Sequence, residues 1–146
     1  MTLKIRRMRE DDVETVAHLE REIFPDPWSA DSFYHEVANT KLSYPCVLTK
    51  DSIILAYAVV WFYAGELHIG NLAVRPSRQK QGLGGRLLQH ILDRFSQAEV
   101  AYLEVRKSNK PAIRLYEKFG FIPLTVRKGY YSNGEDAIVM FKKCTK

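Results

Sequence analysis

The stretch Leu67–Phe95 runs from "LHIGNLAV" through "RPSRQKQGLGG" into "RLLQHILDRF". Its first part alternates like a strand. In its last part Leu83, Leu87, Leu88, Ile91, Leu92 and Phe95 fall on one face of a helix. Three glycines, Gly82, Gly84 and Gly85, stand at the junction. Unpaired N–H groups at a helix start, reinforced by the macrodipole, make a ready anion site. Glycine lets backbone approach a diphosphate closely, and Arg78, Lys80 and Arg86 add positive charge. A Walker loop is excluded because no Gly-Lys-Ser/Thr follows. A Rossmann turn is excluded because its glycines fall elsewhere. A mere connector explains poorly why Gly85 enters the helix, where glycine costs roughly 1 kcal/mol against alanine.

The rest of the chain supplies a sheet for this unit. Leu3–Met8 reads as a first strand, and Asp11 with Glu14 as a capping pair for a helix ended by Pro25 and Pro27. Ser29 starts a second helix, with Trp28 and Phe33 spaced as a hydrophobic staple. Tyr44–Thr49, Ile53–Tyr63 and Leu67–Val74 form a meander, with Gly70 marking a bulge or a close backbone approach. Val100–Val105 is a buried strand interrupted by Glu104. Asn109 or Ser108 caps a helix that Gly120 ends, and two strands close the chain around Ser132-Asn133-Gly134. The order β-α-α-β-β-β-α-β-α-β-β predicts one α+β domain over residues 1–146, a mixed central sheet flanked by about four helices.

Charge divides this domain. Nine acids between Arg9 and Glu36 face only Arg9 and Arg21, whereas ten cations between Arg75 and Lys118 face four acids. Two solvated helix faces are one reading; a phosphate-bearing ligand near the second half and a basic ligand near the first is the other. No apolar run reaches membrane-spanning length and the N-terminus is no signal peptide, so no membrane partner is expected. Cys46 and Cys144 give no disulfide framework, which favours a cytoplasmic setting. His18, His35, His68 and His90 lack metal-ligand spacing and read as surface or core residues. No metal is expected. The aromatics do not interleave with basic residues as a nucleic-acid platform requires, so no direct nucleic-acid partner is expected.

Gln79-Lys80-Gln81-Gly82-Leu83-Gly84 resembles the Q/R-x-x-G-x-G/A motif of the GNAT superfamily of N-acetyltransferases. "NLAVRP" before it is similar to that family's fourth strand, and "LEVRKSNKPAIRLYEKFGF" to its second motif. Together with "FPDPWSADSF" and "YYSNGEDAIVM", these segments resemble the RimI-type ribosomal-protein-alanine N-acetyltransferases. The last two motifs also resemble archaeal and eukaryotic N-terminal acetyltransferases.

The resemblance implies acetyl-CoA as co-substrate. Its pantetheine would lie along Leu72, Ala73 and Val74, its diphosphate on Gln79, Lys80, Gln81, Gly82, Leu83, Gly84 and Gly85, with Asn109 and Tyr116 as further contacts. Gly85 departs from the relatives, which usually carry a side chain there. The acceptor implied is a protein N-terminus, the N-terminal alanine of a small-subunit ribosomal protein, met by Phe24, Trp28, Tyr130 and Tyr131. The acidic N-terminal third agrees with a basic peptide. By their own sequence context Trp28 is a staple residue and the two tyrosines are strand aromatics. Other N-termini, a small amine, or a non-catalytic acyl-CoA- or RNA-binding module are the alternatives.

Acetyl transfer poses two proton problems. An α-amino group with a pKa of roughly 7.7–8.0 is mostly protonated at neutral pH, and the departing thiolate needs a proton donor. Glu104 matches the family's general base. Desolvation within an apolar strand would raise its pKa, although a solvated strand edge is the plainer reading of the residue alone. Tyr116 matches the general acid, although its stripe with Ala112, Leu115 and Phe119 reads equally as core. No cysteine lies in these motifs, so direct transfer in a ternary complex is expected.

Overall fold

The computed structural model describes residues 2–144. Seven strands form one mixed sheet in the order β1-β2-β3-β4-β5-β7-β6. The strands are β1 (Leu3–Arg7), β2 (Ser43–Lys50), β3 (Ile53–Tyr63), β4 (Glu66–Val74), β5 (Val100–Arg106), β6 (Ile122–Arg127) and β7 (Ala137–Lys143). The helices are α1 (Val13–Ile23), α2 (Ala30–Ala38), α3 (Leu83–Arg94) and α4 (Lys110–Lys118). This is the element order read from the sequence, with two 3-10 turns added at Glu10–Asp12 and Pro76–Arg78.

Alternation along the strands makes two cores. Ala56, Ala58 and Val60 of β3 face Leu83, Leu87, Leu88 and Ile91 of α3. Tyr57 and Val59 point the other way, toward Val13, Val16 and Leu19 around α1 and Phe33 of α2. The period of two in the strand and near 3.6 in the helices thus seats α1–α2 on one face and α3–α4 on the other. The β2–β3 and β3–β4 hairpins turn through Asp51-Ser52 and Ala64-Gly65, all four at positive φ, the conformation whose twist suits a two-residue connection.

One capping assignment is corrected. The cap expected of Asp11 and Glu14 is not formed: a 3-10 turn delays the helix to Val13, and Asp12, at the N-cap position, makes no side-chain bond to the helix. Asp12 accepts the Arg9 N–H at 2.7 Å and both Arg6 guanidinium nitrogens at 2.7 and 3.0 Å. Burial pushes the Asp12 carboxyl upward, but the hydrogen bonds from Arg6 and Arg9 and the Arg6 charge outweigh it and hold the group below its ordinary value. Glu14 instead accepts the Tyr34 hydroxyl. At α2 the expected cap and staple are present: Ser29 Oγ accepts the Ser32 N–H, and the Trp28 and Phe33 rings lie 5.4 Å apart.

Gly70 is both a bulge and a close approach. Val59 pairs with Asn71 and Val60 with Ile69, which leaves Gly70 as the extra residue of β4. A Cβ at Gly70 would stand 2.2 Å from the Trp61 ring. That ring is tethered by its Nε1–H bond to Glu36, 2.7 Å, so it cannot swing clear cheaply. Gly70→Ala is therefore expected to destabilise the fold by about 1–3 kcal/mol, measured by thermal or urea unfolding. An unchanged midpoint would contradict this packing.

The bulge opens the sheet. β4 and β5 pair in parallel only from Glu66–Ile69 to Val100–Leu103. β4 then runs on to Val74 beside β3 alone, and β5 to Arg106 beside β7 alone. Two strands part at the centre of the sheet, and their inner edges from Asn71 and Glu104 onward carry no ladder partner.

Candidate active site

A cavity of about 750 Å³ occupies this gap, lined by residues of several elements. β4 contributes Ile69, Gly70, Asn71 and Leu72, and β5 contributes Glu104, Val105 and Arg106. The α1–α2 connection brings Phe24 and Trp28, and the β6–β7 loop brings Tyr130 and Tyr131. Asn109 and Tyr116 of the α4 segment close it from the opposite face. Of the expected residues, Phe24, Trp28, Leu72, Glu104, Asn109, Tyr116, Tyr130 and Tyr131 therefore share one cavity. Ala73, Val74 and residues 79–85 lie beside it rather than in its wall.

Glu104 reaches the cavity by strand alternation. Ala101, Leu103 and Val105 enter the α3–α4 core, so Tyr102, Glu104 and Arg106 project from the other face. The Glu104 side chain is only 10% exposed, and its Oε1 lies 2.7 Å from His68 Nε2. The His68 ring stacks on Tyr102, centroids 4.4 Å apart and planes 9° apart. His68, read from the sequence as a surface or core residue, thus stands at the site. The parallel register that sets His68 beside Tyr102 is a long-range fact with no local sequence signal. One carboxylate oxygen is held by imidazole, and the other makes no side-chain hydrogen bond among the described residues.

Tyr116 is buried between the helix and the cavity, its ring edge-on to Phe121. Its hydroxyl has no hydrogen-bond partner among the described residues. Burial, with a smaller contribution from Tyr131, pushes the phenol above its ordinary value, so it keeps its proton at neutral pH. An uncommitted, protonated hydroxyl suits a donor to a leaving group. Asn109 lines the cavity, and its Oδ1 accepts the Ala112 N–H, so the capping reading holds.

The acceptor lip is tied by Arg106. Its guanidinium pairs with Asp26 of the α1–α2 connection and, at 3.1 Å, with Glu135 of the β6–β7 loop. It also lies over the Tyr131 ring at 3.9 Å. Ser132 Oγ donates to Asp26 at 3.2 Å, joining the two loops directly. Burial raises the Tyr131 phenol to about 12 despite the Arg106 charge, and burial followed by the Glu104 charge raises Tyr130.

At the other end of the gap lies the glycine loop. The first bond at the start of α3 runs from Arg86 N–H to Gly82 O, 3.1 Å, so the N–H groups of Leu83, Gly84 and Gly85 precede the ladder. Gly82 has φ +79°, and a Cβ there would meet nothing within 4 Å: the loop presents bare backbone to open space. Gln79 Nε2 donates to Val74 O and fixes the strand-to-loop corner. The three glycines do different work. A Cβ at Gly84 would meet Leu115 of α4 at 3.2 Å, so Gly84 sets the approach of two helices rather than clearing space for a ligand. A Cβ at Gly85 would make ordinary contacts of 3.7 Å with Leu115 and Phe119. Gly85→Ala is thus expected to raise stability by up to about 1 kcal/mol in thermal unfolding. A fall would show that Gly85 is there for space. Arg78 and Arg86 turn to a second cavity, shared with Lys50 and Gln81.

The comparisons with known proteins agree with this geometry. The model of the acetyltransferase (GNAT) family matches residues 13–121. The chain is 38% identical to a Bacillus subtilis (strain 168) protein, provisionally named a [ribosomal protein bS18]-alanine N-acetyltransferase, over 94% of this chain and 93% of that one. It is 36% identical to the [ribosomal protein bS18]-alanine N-acetyltransferase of Escherichia coli (strain K12), over 93% and 94%. The crystal structure of the Escherichia coli ribosomal-protein-S18-alanine N-acetyltransferase superposes with a TM-score of 0.90 at 33% identity, covering 99% of this chain and 96% of that one. With a parted parallel strand pair, a bare glycine loop at a helix start and a family match across most of its length, this chain belongs to the GNAT family of acetyltransferases.

Proposed function

We propose that the protein is an N-terminal acetyltransferase that moves the acetyl group of acetyl-CoA to the α-amine of a protein N-terminus, the N-terminal alanine of ribosomal protein bS18. The observation that carries this reading is the placement of Glu104 and Tyr116 in one cavity at the parting of β4 and β5. The names of the relatives supply the acceptor. One domain spans the chain, working in the cytoplasm without a membrane. Among the described residues no helix is long and apolar enough to cross one.

The residues present fit acetyl-CoA as co-substrate. The unpaired edge of Leu72, Ala73 and Val74 would bond the pantetheine amides, and the backbone from Gln79 through Lys80, Gln81, Gly82 and Leu83 to Gly84 and Gly85 would hold the diphosphate. Asn109 and Tyr116 would flank the thioester. Phe24, Trp28, Tyr130 and Tyr131 would hold the peptide.

In this reading Glu104 and Tyr116 divide the two proton transfers between them. The amine nitrogen attacks the thioester carbonyl, forming the C–N bond while the carbonyl π pair moves onto oxygen. Glu104 takes the nitrogen's proton, with His68 holding the carboxylate in place. The pair on oxygen re-forms the carbonyl as the C–S bond breaks, sulfur takes the proton of Tyr116, and exchange with solvent returns a proton to Tyr116 and removes one from Glu104. The products are the acetylated terminus and CoA. Acetyl transfer to an alanine-first peptide, but not to the same peptide with a blocked α-amine, tests the reading. Equal transfer to both would reject it.

A further inference from the structure

Glu20 is a carboxylate of the cavity to which this mechanism gives no task. It lies on α1, is 2% exposed and lines the same cavity as Glu104. Its Oε1 accepts the Tyr57 hydroxyl at 2.7 Å and Asn71 Nδ2 at 3.0 Å, and its Oε2 accepts the Trp28 N–H at 3.0 Å. All three donors are neutral. Among the described residues no Lys, Arg or His pairs with it, and the arginine on the cavity, Arg106, is engaged by Asp26 and Glu135. The carboxylate is thus held in the cavity wall by neutral donors from β3, β4 and the α1–α2 connection, with no cation of the protein set against it among the described residues.

We propose that the cation set against it is the acceptor's nitrogen: Glu20 is the anionic subsite for the α-ammonium group. The proposal rests on the N-terminal acetyltransferase reading and adds to it a second carboxylate with a distinct task. Glu104 accepts a proton, whereas Glu20 orients and attracts the nitrogen. The nitrogen is positive twice: as the arriving ammonium, which gives one proton to solvent to free its lone pair, and again after that pair has formed the C–N bond and before Glu104 removes the second proton. A fixed anion favours both states over the neutral amine. Asn71 and Trp28, which bond to Glu20, tie the subsite to the β4 bulge and to the acceptor lip.

Glu20→Gln preserves shape and one acceptor oxygen while removing the charge. In steady-state assays with an alanine-first peptide, peptide KM is expected to rise roughly 10- to 100-fold, with the acetyl-CoA KM and the melting temperature unchanged. Glu20→Asp is expected to recover part of the loss. A second arm measures binding to CoA-loaded protein of the peptide and its des-amino analogue. The native chain is expected to prefer the free amine strongly, and Glu20→Gln to discriminate little. An unchanged peptide KM, or equal discrimination by both proteins, would overturn the proposal. So would a lowered melting temperature with both KM values raised, the pattern of a purely structural residue. The binding arm needs no turnover: a native chain that prefers the ammonium yet acetylates no peptide would uphold the subsite and reject the transferase reading alone.

Discussion

Glu104→Gln is expected to lower kcat by about 10²- to 10⁴-fold, the usual worth of a positioned general base, with the KM for acetyl-CoA nearly unchanged. The amide keeps the side chain's size and its oxygen toward His68, so the bond at 2.7 Å survives in form while proton acceptance is lost. The same substitution leaves no void, so the melting temperature is expected to move little. Steady-state kinetics on both substrates, beside a thermal melt, separates these effects. A variant with native kcat would show that the amine loses its proton elsewhere.

Tyr116→Phe is expected to lower kcat by about 10- to 100-fold. The effect is smaller because a thiol with a pKa of roughly 8.5 is already a fair leaving group. The hydroxyl bonds to no described residue, so removing it breaks nothing in the free protein and the fold is expected to be unharmed. An equal loss of kcat and of melting temperature would assign Tyr116 to the core alone, the reading its stripe with Ala112, Leu115 and Phe119 also allowed.

These two residues were legible in the sequence because each sits inside a contiguous motif. So were the element order, the glycine loop, the Ser29 cap and the double meaning of Gly70, since local periodicity and backbone demands are written in neighbouring residues. What stayed hidden depends on distant pairing. His68 meets Glu104 only because β4 and β5 run parallel in one register. Arg106 reads as one more cation of "LEVRK" until Asp26, 80 positions earlier, and Glu135 close around it. Glu20 looks like an exposed charge of an acidic helix, and the hydroxyl of Tyr57 and the amide of Asn71 show otherwise. The cap expected of Asp11 and Glu14 failed because a 3-10 turn and an α-helix start with the same kinds of residue. The acidic-to-basic division of the chain also changed meaning: Asp12, Glu20 and Asp26 of the acidic third are internal partners rather than a solvated face.

The central claim is that the nitrogen acetylated is a chain's own α-amine. Its most direct test is a panel of peptides varied in the first residue, each with one internal lysine, incubated with acetyl-CoA and read by fragmenting mass spectrometry. The account expects one acetyl group on the α-amine, fastest for alanine first, with an equal amount of CoA released. Acetylation confined to the lysine side chain, or to small polyamines with no peptide modified, would contradict it.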